Sequence, residues 1–364
     1  MKIRAAVSRP GSTAPAFETL NLEAPRAGEL GVRVVAAGIC HTDLHAQAGR
    51  LAPLPIVLGH EGVGVVERVG EGVQGFAPGD HVVLSGSSCG TCPNCLGGVP
   101  SYCDTAMPRN FGGRRLDGST ALRTEDGAPV HSHFFGQSSF ATHVVAPAGS
   151  AVKVDPALPL AVLAPLACGV ITGAGAVIAA LRVAAGESIA IFGVGGVGLS
   201  AVMAARLVGA ERIVAVDVNE SRLALARELG ATDTFAAGSD DLAARIRALT
   251  GRGVHYTFNT TASPAVFSTA VDCLAMRGIA GFVTAPQGEW APPMFQMLSG
   301  GRMVRGILGG DAAPRTFIPM LIRYWQQGRF PFDRLVRFYP FAEIAQAFAH
   351  VAAGEVIKPV LRME

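Results

Sequence analysis

The segment that most constrains the fold of this 364-residue chain runs from Glu187 to Ala231. It reads ESIAIFGVGGVGLSAVMAARLVGAERIVAVDVNESRLALARELGA: an apolar run, a glycine turn, a small-residue helix, a second apolar run and a second helix. This alternation is typical of parallel βαβ units. Further apolar runs at 255–259, 278–283 and 303–308 extend the pattern. The sequence therefore predicts an α/β fold whose parallel sheet is built from βαβ units.

The glycine turn follows the pattern GxGxxG between a strand and a helix. Its residues are Gly193, Gly195, Gly196, Val197 and Gly198. Backbone N–H groups of such a loop approach a pyrophosphate, whose charge lies at the helix N-terminus. Asp217 ends the second strand, where a carboxylate accepts hydrogen bonds from ribose hydroxyls and repels a 2′-phosphate, which favours NAD over NADP. Arg222 is a nearby cation that could instead hold a 2′-phosphate, and a glycine turn beside a solvated aspartate is the non-functional alternative.

The regions on either side of this segment have a different texture. Glycine and proline break residues 1 to about 155 into short β-branched runs, such as 31–36, 62–69 and 80–84. Short strands with turns between them predict a β-rich, barrel-like domain. Residues 317–324 have helical periodicity, and the final IKPVLRM is strand-like. We expect this last segment to rejoin the first domain.

Composition narrows the class of partner. With 49% hydrophobic and 16% charged residues the chain can bury a large core, and 30 basic against 28 acidic residues form no long run of one sign. A broad nucleic-acid footprint is therefore not expected, and small uncharged partners are favoured. The start MKIRAAV lacks the apolar core of a signal peptide, so we expect a cytoplasmic protein. In that reducing compartment, clustered cysteines more often bind metal or react than form disulfides.

The stretch from Leu160 to Leu181 carries no formal charge and is long enough to be considered as a membrane span. Pro165, several glycines and a cysteine interrupt it. We therefore predict that it is buried core rather than a span.

Four cysteines follow the spacing C-x2-C-x2-C-x7-C in a Gly/Pro-rich loop. They are Cys89, Cys92, Cys95 and Cys103. Four thiolates fill the tetrahedral shell of Zn²⁺ and leave no place for water or substrate, so the pattern predicts a structural zinc site. An iron–sulfur cluster uses the same ligands, but the sequence offers no electron-transfer context for one. Disulfides are disfavoured by the expected compartment.

A catalytic zinc normally has three protein ligands and one open place. The remaining cysteines are Cys40, Cys168 and Cys273, and candidate partners occur in GICHTDLH at 38–45 and GHE at 59–61. Spacing alone does not select among them, and a buried inert cysteine is the default for Cys168 and Cys273.

Taken together, these motifs resemble the zinc-dependent alcohol dehydrogenases of the medium-chain dehydrogenase/reductase superfamily, over essentially the whole chain. GHEGVGVVERVGEGV, from Gly59, matches the zinc signature of the family with Gly64, Gly70 and Val73 in step, and the cysteine and cofactor loops follow in the expected order. The resemblance implies a GroES-like catalytic domain over 1–165, a Rossmann NAD-binding domain over 166–307 and a C-terminal return over 308–364. It also implies a homodimer or homotetramer, joined edge to edge through 303–308.

The same resemblance implies two zinc ions per chain. The residues that would hold the catalytic zinc are Cys40, His60 and Cys168, and the four clustered cysteines would hold the structural zinc. Thr42 occupies the position of the hydroxyl that contacts the substrate oxygen, and His45 that of the outer end of the proton relay. Asp43 resembles the carboxylate that orients His60, and Glu61 the acid behind the metal.

Cofactor contacts are implied at further positions. His41 and Lys358 match basic residues that approach the pyrophosphate, and Arg222 matches the basic residue beside the adenosine ribose. Cys273 has no counterpart role. His131, His133 and His143 have no motif support and are expected to be loop or core residues.

Three stretches resemble the aryl-alcohol (benzyl-alcohol) dehydrogenase branch: FFGQSSFATH from Phe134, CGVITGAGAV from Cys168 and GRFPFDRLVRFYPF from Gly328. This implies that the substrates are primary aromatic or allylic alcohols, oxidised reversibly to aldehydes by hydride transfer to NAD. Gly86 departs from the pattern, since a bulky aromatic is expected there.

Two alternatives stay open at this level. One is the glutathione-linked formaldehyde dehydrogenase branch, which shares both zinc sites. The other is a non-catalytic zinc-ribbon binding module, which the charge balance and the complete cofactor loop disfavour.

Overall fold

A computed structural model describes residues 1–363. The strands in chain order are β1 Lys2–Ser8, β2 Ala16–Leu22, β3 Glu29–Gly38, β4 Ile56–Val57, β5 Glu61–Val69, β6 His81–Leu84, β7 Leu122–Arg123, β8 Pro129–Val130, β9 His143–Pro147, β10 Ala151–Val154, β11 Ser188–Phe192, β12 Arg212–Asp217, β13 Asp233–Ala236, β14 Val254–Asn259, β15 Leu274–Phe282, β16 Met303–Gly306, β17 Val336–Pro340 and β18 Lys358–Arg362.

The α-helices in chain order are α1 His41–Gln47, α2 Pro93–Leu96, α3 Ala106–Phe111, α4 Gly169–Gly175, α5 Gly196–Val208, α6 Glu220–Leu229, α7 Leu242–Thr250, α8 Pro264–Asp272, α9 Met294–Gly300, α10 Pro314–Gln326 and α11 Ile344–Ala352. The chain divides into two compact units. The first comprises residues 1–168, 313–320 and 333 onward, and the second comprises residues 169–312 and 321–332.

The first unit contains two sheets. One has the strand order β4-β1-β2-β7-β8, and the other has the order β10-β6-β5-β3-β18-β17 with β9 also paired to β3. Along β3 the side chains alternate, so that Val32 and Val34 are buried in the core while Arg33 between them is exposed, as expected for a half-buried strand. The predicted β-rich first domain and the strand-like C-terminus are confirmed, because β18 pairs antiparallel with β3.

The pairing of β3 with β5 positions the site. These strands are antiparallel, with Gly38 opposite Glu61. Cys40 comes two residues after the end of β3, and His60 directly precedes β5. Residues 20 positions apart in the chain are thus brought to the same end of the sheet.

The second unit contains a six-stranded sheet in the order β13-β12-β11-β14-β15-β16, and all of its pairings are parallel. Numbered within the unit, this is the order 3-2-1-4-5-6 of a Rossmann sheet. The central strand β11 is buried at every residue, because helices cover both faces of a parallel sheet. The βαβ units and the Rossmann architecture predicted from the sequence are confirmed.

The uncharged stretch near residue 170 forms helical segments. No single helix among residues 1–363 has the length and apolar character needed to cross a membrane. The bent pair Leu160–Ala167 and Gly169–Ala180 passes that test only when its two members are taken together, by length and composition.

Candidate active site

The first candidate metal centre is built by side chains from three segments. The Sγ atoms of Cys40 and Cys168, a ring nitrogen of His60 and a carboxylate oxygen of Glu61 all lie within 4.8 Å of one another. Cys40 is the N-cap of α1, His60 precedes β5, and Cys168 follows a 3₁₀ helix that ends at Ala167. The set that the family resemblance implied is therefore brought together in space.

Asp43 organises this cluster through both of its carboxylate oxygens. Oδ2 accepts a hydrogen bond from the backbone N–H of Cys40 at 3.0 Å. Oδ1 lies 3.1 Å from the backbone N of Gly59 and 3.0 Å from Nδ1 of His60. Because Asp43 is fully buried and its carboxylate can only accept, Nδ1 of His60 carries the proton and Nε2 is left as the metal-binding atom.

The other ring nitrogen of His60 makes the best test of whether a metal fits. His60 is 1% exposed, and its Nε2 atom is buried with no hydrogen-bond partner. A buried nitrogen without a partner is costly. Two thiols and this nitrogen are the donor set that Zn²⁺ takes in catalytic sites, so the residues fit a zinc ion.

Protonation within the cluster is strongly perturbed. A hydrogen bond from Cys168, opposed by burial, holds the pKa of Cys40 well below its usual value. The same contact, together with burial, raises the pKa of Cys168 well above its usual value. Burial would lower the pKa of His60, but the Asp43 carboxylate raises it well above the usual value. A metal ion must displace the protons held in this way, so its binding depends on pH.

Glu61 and Lys358 form a buried ion pair beside the cluster. Nζ of Lys358 lies 2.7 Å from Oε1 and 3.0 Å from Oε2 of Glu61, and 3.3 Å from the backbone oxygen of Ile39. Burial raises the pKa of Glu61, and the Lys358 ammonium opposes that rise. The expectation that Lys358 approaches a pyrophosphate stays a prediction.

An aromatic cluster covers one face of the His60 ring. Phe135 stacks on the imidazole, with ring centroids 4.5 Å apart and an interplanar angle of 24°. Phe111 and Phe134 each pack edge-on against Phe135 at 5.0 Å. Phe135 has a φ of 51°, which is an outlier for a bulky residue and marks backbone strain next to the site.

Gln137 is a positioning residue that the sequence did not reveal. Its buried amide accepts from the backbone N–H of Gly62 at 2.9 Å and donates to the carbonyl oxygens of His60 and Leu84, each at 3.0 Å. It thereby ties the start of β5 to the end of β6. The stretch FFGQSSFATH contains Gln137, but one glutamine among small residues carries no pattern that indicates a clamp.

The residues expected to form the proton relay, Thr42 and His45, lie on α1. Thr42 is half-buried, and its Oγ1 is 3.7 Å from Sγ of Cys40. His45 follows three residues later and is exposed. Residues three apart share one face of a helix, so Thr42 and His45 lie on the same side. His41 begins α1 and is exposed.

The second candidate metal centre lies in the cysteine loop. Sγ atoms of its four cysteines lie within 4.8 Å of one another, and those of Cys89 and Cys95 are 3.9 Å apart. In a tetrahedral zinc site with Zn–S bonds of about 2.3 Å, neighbouring sulfurs are about 3.8 Å apart, so the loop fits a zinc ion. A hydrogen bond from the backbone N–H of Thr91 is the main cause that lowers the pKa of Cys89 to about 5. Cys273 is fully buried in the second unit, as expected of a core residue.

The glycine loop of the second unit connects β11 to α5. Gly193 has a φ of 82°, and a Cβ there would lie 2.5 Å from Oγ1 of Thr260. A Cβ on Gly198 would lie 2.0 Å from the carbonyl oxygen of Gly193. A Cβ on Gly195, the N-cap of α5, would meet nothing within 4 Å. Two glycines thus allow the tight turn, and the third leaves open space at a helix N-terminus where a pyrophosphate fits.

Asp217 supports this loop from the end of β12. Its Oδ2 accepts from the backbone N–H of Val194 at 2.7 Å, and its Oδ1 from that of Asn219 at 2.9 Å. Asn219 caps α6, which carries the half-buried Arg222. A carboxylate at this place beside the glycine loop fits a dinucleotide ribose.

Comparison with known families and proteins agrees with this geometry. The model of the alcohol dehydrogenase GroES-like domain matches residues 26–156, and that of the zinc-binding dehydrogenase family matches residues 196–324. Geraniol dehydrogenase of Castellaniella defragrans is 48% identical over 98% of this chain and 97% of its own length. Alcohol dehydrogenase 1 of Pisum sativum is 33% identical over 100% of this chain and 98% of its own.

Two solved structures share the whole fold. An alcohol dehydrogenase zinc-binding domain protein from Burkholderia ambifaria is 49% identical and superimposes with a TM-score of 0.97, covering 100% of this chain and 99% of that one. Benzyl alcohol dehydrogenase from Acinetobacter calcoaceticus is 42% identical with a TM-score of 0.96, covering 100% of both chains.

A Rossmann sheet, a β-rich unit with a Cys/His/Cys cluster and matches of this extent define one class of enzyme. The chain belongs to the zinc-dependent alcohol dehydrogenases of the medium-chain dehydrogenase/reductase superfamily. Its activity is therefore the interconversion of alcohols and aldehydes.

Proposed function

We propose that the protein interconverts primary aryl or allylic alcohols and their aldehydes with NAD as hydride acceptor, at the cluster of Cys40, His60 and Cys168. The observation that carries this proposal is the buried Nε2 atom of His60, which has no hydrogen-bond partner, on a ring with a nitrogen within 4.8 Å of two thiols. An alcohol dehydrogenase requires a metal held by three protein ligands, because the fourth ligand place must stay open for the substrate.

When bound, zinc supplies a Lewis acid that makes a hydroxyl group easier to ionise, and NAD accepts the hydride. Thr42, beside Cys40, accepts the hydrogen bond of the substrate hydroxyl and takes part in removal of its proton. His45, which is exposed on α1, receives that proton and passes it to water. Asp43 holds the His60 ring in the tautomer that keeps Nε2 available.

The preference for NAD is assigned to Asp217. A 2′-phosphate would be repelled by this carboxylate, which two backbone N–H groups hold beside the glycine loop. Val197 and Gly196 lie in the first turn of α5, and His41 and Arg222 are the proposed basic contacts of the dinucleotide. Replacing Asp217 with Gly should lower the ratio of kcat/KM with NAD to that with NADP by at least about tenfold. An unchanged ratio would remove Asp217 from this role.

The substrate class follows from two relatives and one feature of the site. The two relatives are named after geraniol and benzyl alcohol, and both alcohols have an unsaturated carbon next to the carbon that carries the hydroxyl group. The half-buried rings of Phe111 and Phe135 beside His60 support a flat, unsaturated substrate. A Cβ on Gly86 would make ordinary contacts at 3.5 Å with Asn110 and 3.6 Å with Phe135, so glycine leaves room beside this cluster.

A kinetic screen tests the substrate class. Benzyl alcohol and geraniol should be oxidised with a kcat/KM about tenfold or more above that of cyclohexylmethanol or 1-octanol. The same screen should include formaldehyde together with glutathione, to test the glutathione-linked alternative. A strict dependence on glutathione with poor turnover of benzyl alcohol would replace the proposal by the glutathione-linked branch.

We also propose that the protein is a homo-oligomer, joined through the edge strand β16 of the Rossmann sheet. Large apolar side chains are exposed near that edge: Phe295 and Leu298 on α9 are 80% and 83% exposed. Exposed apolar patches mark interfaces, and an edge strand offers unpaired backbone groups. Light scattering should show a dimer or tetramer that the double substitution Phe295→Glu, Leu298→Glu dissociates, while Leu116→Glu in the first unit leaves it intact. If the unmodified protein is monomeric, this proposal is wrong.

The cytoplasmic location stays a prediction.

A further inference from the structure

Lys358 has no donor left for a phosphate group in the observed arrangement. Its side chain is buried, and its Nζ atom lies within hydrogen-bond distance of Oε1 and Oε2 of Glu61 and the carbonyl oxygen of Ile39. An ammonium group has three N–H donors and no acceptor. These three acceptors therefore account for all of its donors.

Glu61 is itself competent to bind the metal. One of its carboxylate oxygens lies within 4.8 Å of the Sγ atoms of Cys40 and Cys168 and of the His60 ring nitrogen. Besides sulfur and imidazole nitrogen, zinc also accepts carboxylate oxygens as ligands. A fourth protein ligand would close the shell, as the four cysteines of the other loop do, and would leave no place for an alcohol.

The backbone around Glu61 is built to keep the carboxylate on the Lys358 side. Gly38 faces Glu61 across the β3–β5 pair, and a Cβ on Gly38 would lie 2.1 Å from Oε2 of Glu61. The absence of a side chain there makes the space that the carboxylate occupies. Strand β18 pairs with β3 at Gly38 through Val360, which places Lys358, two residues earlier, at the same point. Elements from both ends of the first unit thus converge on one carboxylate.

We propose that Lys358 is a positioning residue that holds the Glu61 carboxylate away from the metal and so reserves the fourth ligand place for the substrate oxygen. The inference rests on the proposed function, since it presumes a metal held by Cys40, His60 and Cys168. It assigns Lys358 to the metal centre instead of the pyrophosphate. Without the ammonium, the carboxylate has an uncompensated charge beside a cation, and coordination is its most favourable alternative.

The experiment uses the full chain with cobalt(II) in place of zinc, whose absorption bands report the ligands of the metal. Imidazole serves as the probe of the open place, and its dissociation constant is obtained by spectral titration. In Lys358→Met we expect imidazole to bind at least about tenfold more weakly, because Glu61 fills the place. Removing both charges, in Lys358→Met with Glu61→Gln, should restore binding to within about threefold of the unmodified protein. Lys153→Met removes an exposed lysine and is the matched control.

NADH affinity, measured by fluorescence, separates the two roles of Lys358. Unchanged NADH affinity with weakened imidazole binding supports the inference. Normal imidazole binding in Lys358→Met overturns it, and a tenfold loss of NADH affinity in that case assigns Lys358 to the pyrophosphate. If Lys358→Met does not fold, Lys358→Gln retains two N–H donors but no charge and should give an intermediate imidazole affinity; an affinity equal to that of the unmodified protein overturns the inference. A wild-type protein without a cobalt spectrum from the Cys40 cluster would overturn the proposed function as well.

Discussion

The two cysteine-containing clusters of the first unit differ in how the chain builds them. The ligands of the four-thiol cluster come from one loop, in which backbone N–H groups of Thr91 and Cys92 donate to Sγ of Cys89 at 3.4 and 3.2 Å. The mixed cluster takes its ligands from three distant segments, and buried side chains such as Asp43 and Gln137 hold them in place. In the cysteine loop, spacing alone brings together all four ligands of the metal, and we call this the closed shell. The cluster of Cys40, His60 and Cys168 has three ligands and one free ligand place, and we call it the open shell; it needs support from residues that are not ligands.

The largest effect should follow from removing a ligand of the open shell. In His60→Ala the alcohol kcat/KM should fall by about a thousandfold or more, because the Lewis acid is lost. Steady-state kinetics measure the loss, and far-ultraviolet circular dichroism checks that the fold is retained. If His60→Ala keeps activity close to that of the unmodified protein, the catalytic metal does not lie in the cluster of Cys40, His60 and Cys168.

A ligand of the closed shell should behave in the opposite way. In Cys89→Ser we expect the free energy of unfolding to fall by on the order of several kcal/mol, because binding of a structural zinc contributes to folding. Turnover per folded molecule should stay within about twofold at low temperature, since a full thiolate shell binds no substrate. Denaturant unfolding and active-site titration provide the two numbers. Loss of turnover in a fully folded, zinc-replete variant would reverse the assignment.

The support around the open shell should have a smaller effect than its ligands. In Asp43→Asn we expect zinc at the Cys40 cluster to bind about tenfold more weakly, since the buried charge that orients His60 is lost. Competition with a chelator measures the affinity, and Asp117→Asn, at an exposed carboxylate, is the control. Equal zinc affinities in the two variants would mean that α1 and β5 hold the ring without Asp43.

The last prediction concerns Glu29, at the start of β3, whose carboxylate pairs with Arg115 in the chain that follows the cysteine loop. Burial opposes ionisation of Glu29, but the His133 ring, whose Nε2 lies 3.8 Å from Oε1 of Glu29, and two hydrogen bonds from Arg115 outweigh it and lower the pKa of Glu29 from 4.5 to about 2. Since this pKa is depressed in the folded state, the stabilisation is full above about pH 4.5 and is lost as the pH falls towards 2. Glu29→Gln should therefore lower the free energy of unfolding by about 2 kcal/mol at pH 7, and the difference should shrink below pH 4.5.

Urea unfolding at several pH values tests this dependence. A constant difference between Glu29→Gln and the unmodified protein from pH 7 to pH 3 would contradict the depressed pKa. The alcohol kcat/KM of Glu29→Gln at pH 7 should equal that of the unmodified protein, because this ion pair lies outside both clusters and should stabilise the unit without affecting the chemistry.

The sequence predicted the local cysteine loop better than the cluster that distant segments build. The C-x2-C-x2-C-x7-C spacing predicts a metal cluster because its geometry is local, and the glycine pattern with Asp217 predicts the βαβ units for the same reason. Spacing did not select Cys168, which lies 108 positions after His60, over Cys273. Only the resemblance to a family connected Cys40, His60 and Cys168, and the structure then brought them within 4.8 Å.

The family resemblance indicated Asp43 among the supporting residues, but the roles of Gln137 and Phe135 and the contact of Lys358 with Glu61 were beyond the reach of the sequence for a physical reason. Gln137 acts through backbone groups, and the strain at Phe135 exists only in its φ angle of 51°. Lys358 meets Glu61 across 297 positions of chain, through the pairing of β18 with β3. Such contacts depend on strand order and register, which short-range patterns do not determine.

The most direct test of the account measures zinc content and alcohol turnover on the same samples of the unmodified protein, His60→Ala and Cys89→Ser. We expect two zinc ions and full turnover for the unmodified protein. His60→Ala should have one zinc ion and no turnover, and Cys89→Ser should have one zinc ion with turnover retained per folded molecule. Retained turnover in His60→Ala, together with inactivity of folded Cys89→Ser, would contradict this assignment and place the working metal in the cysteine loop.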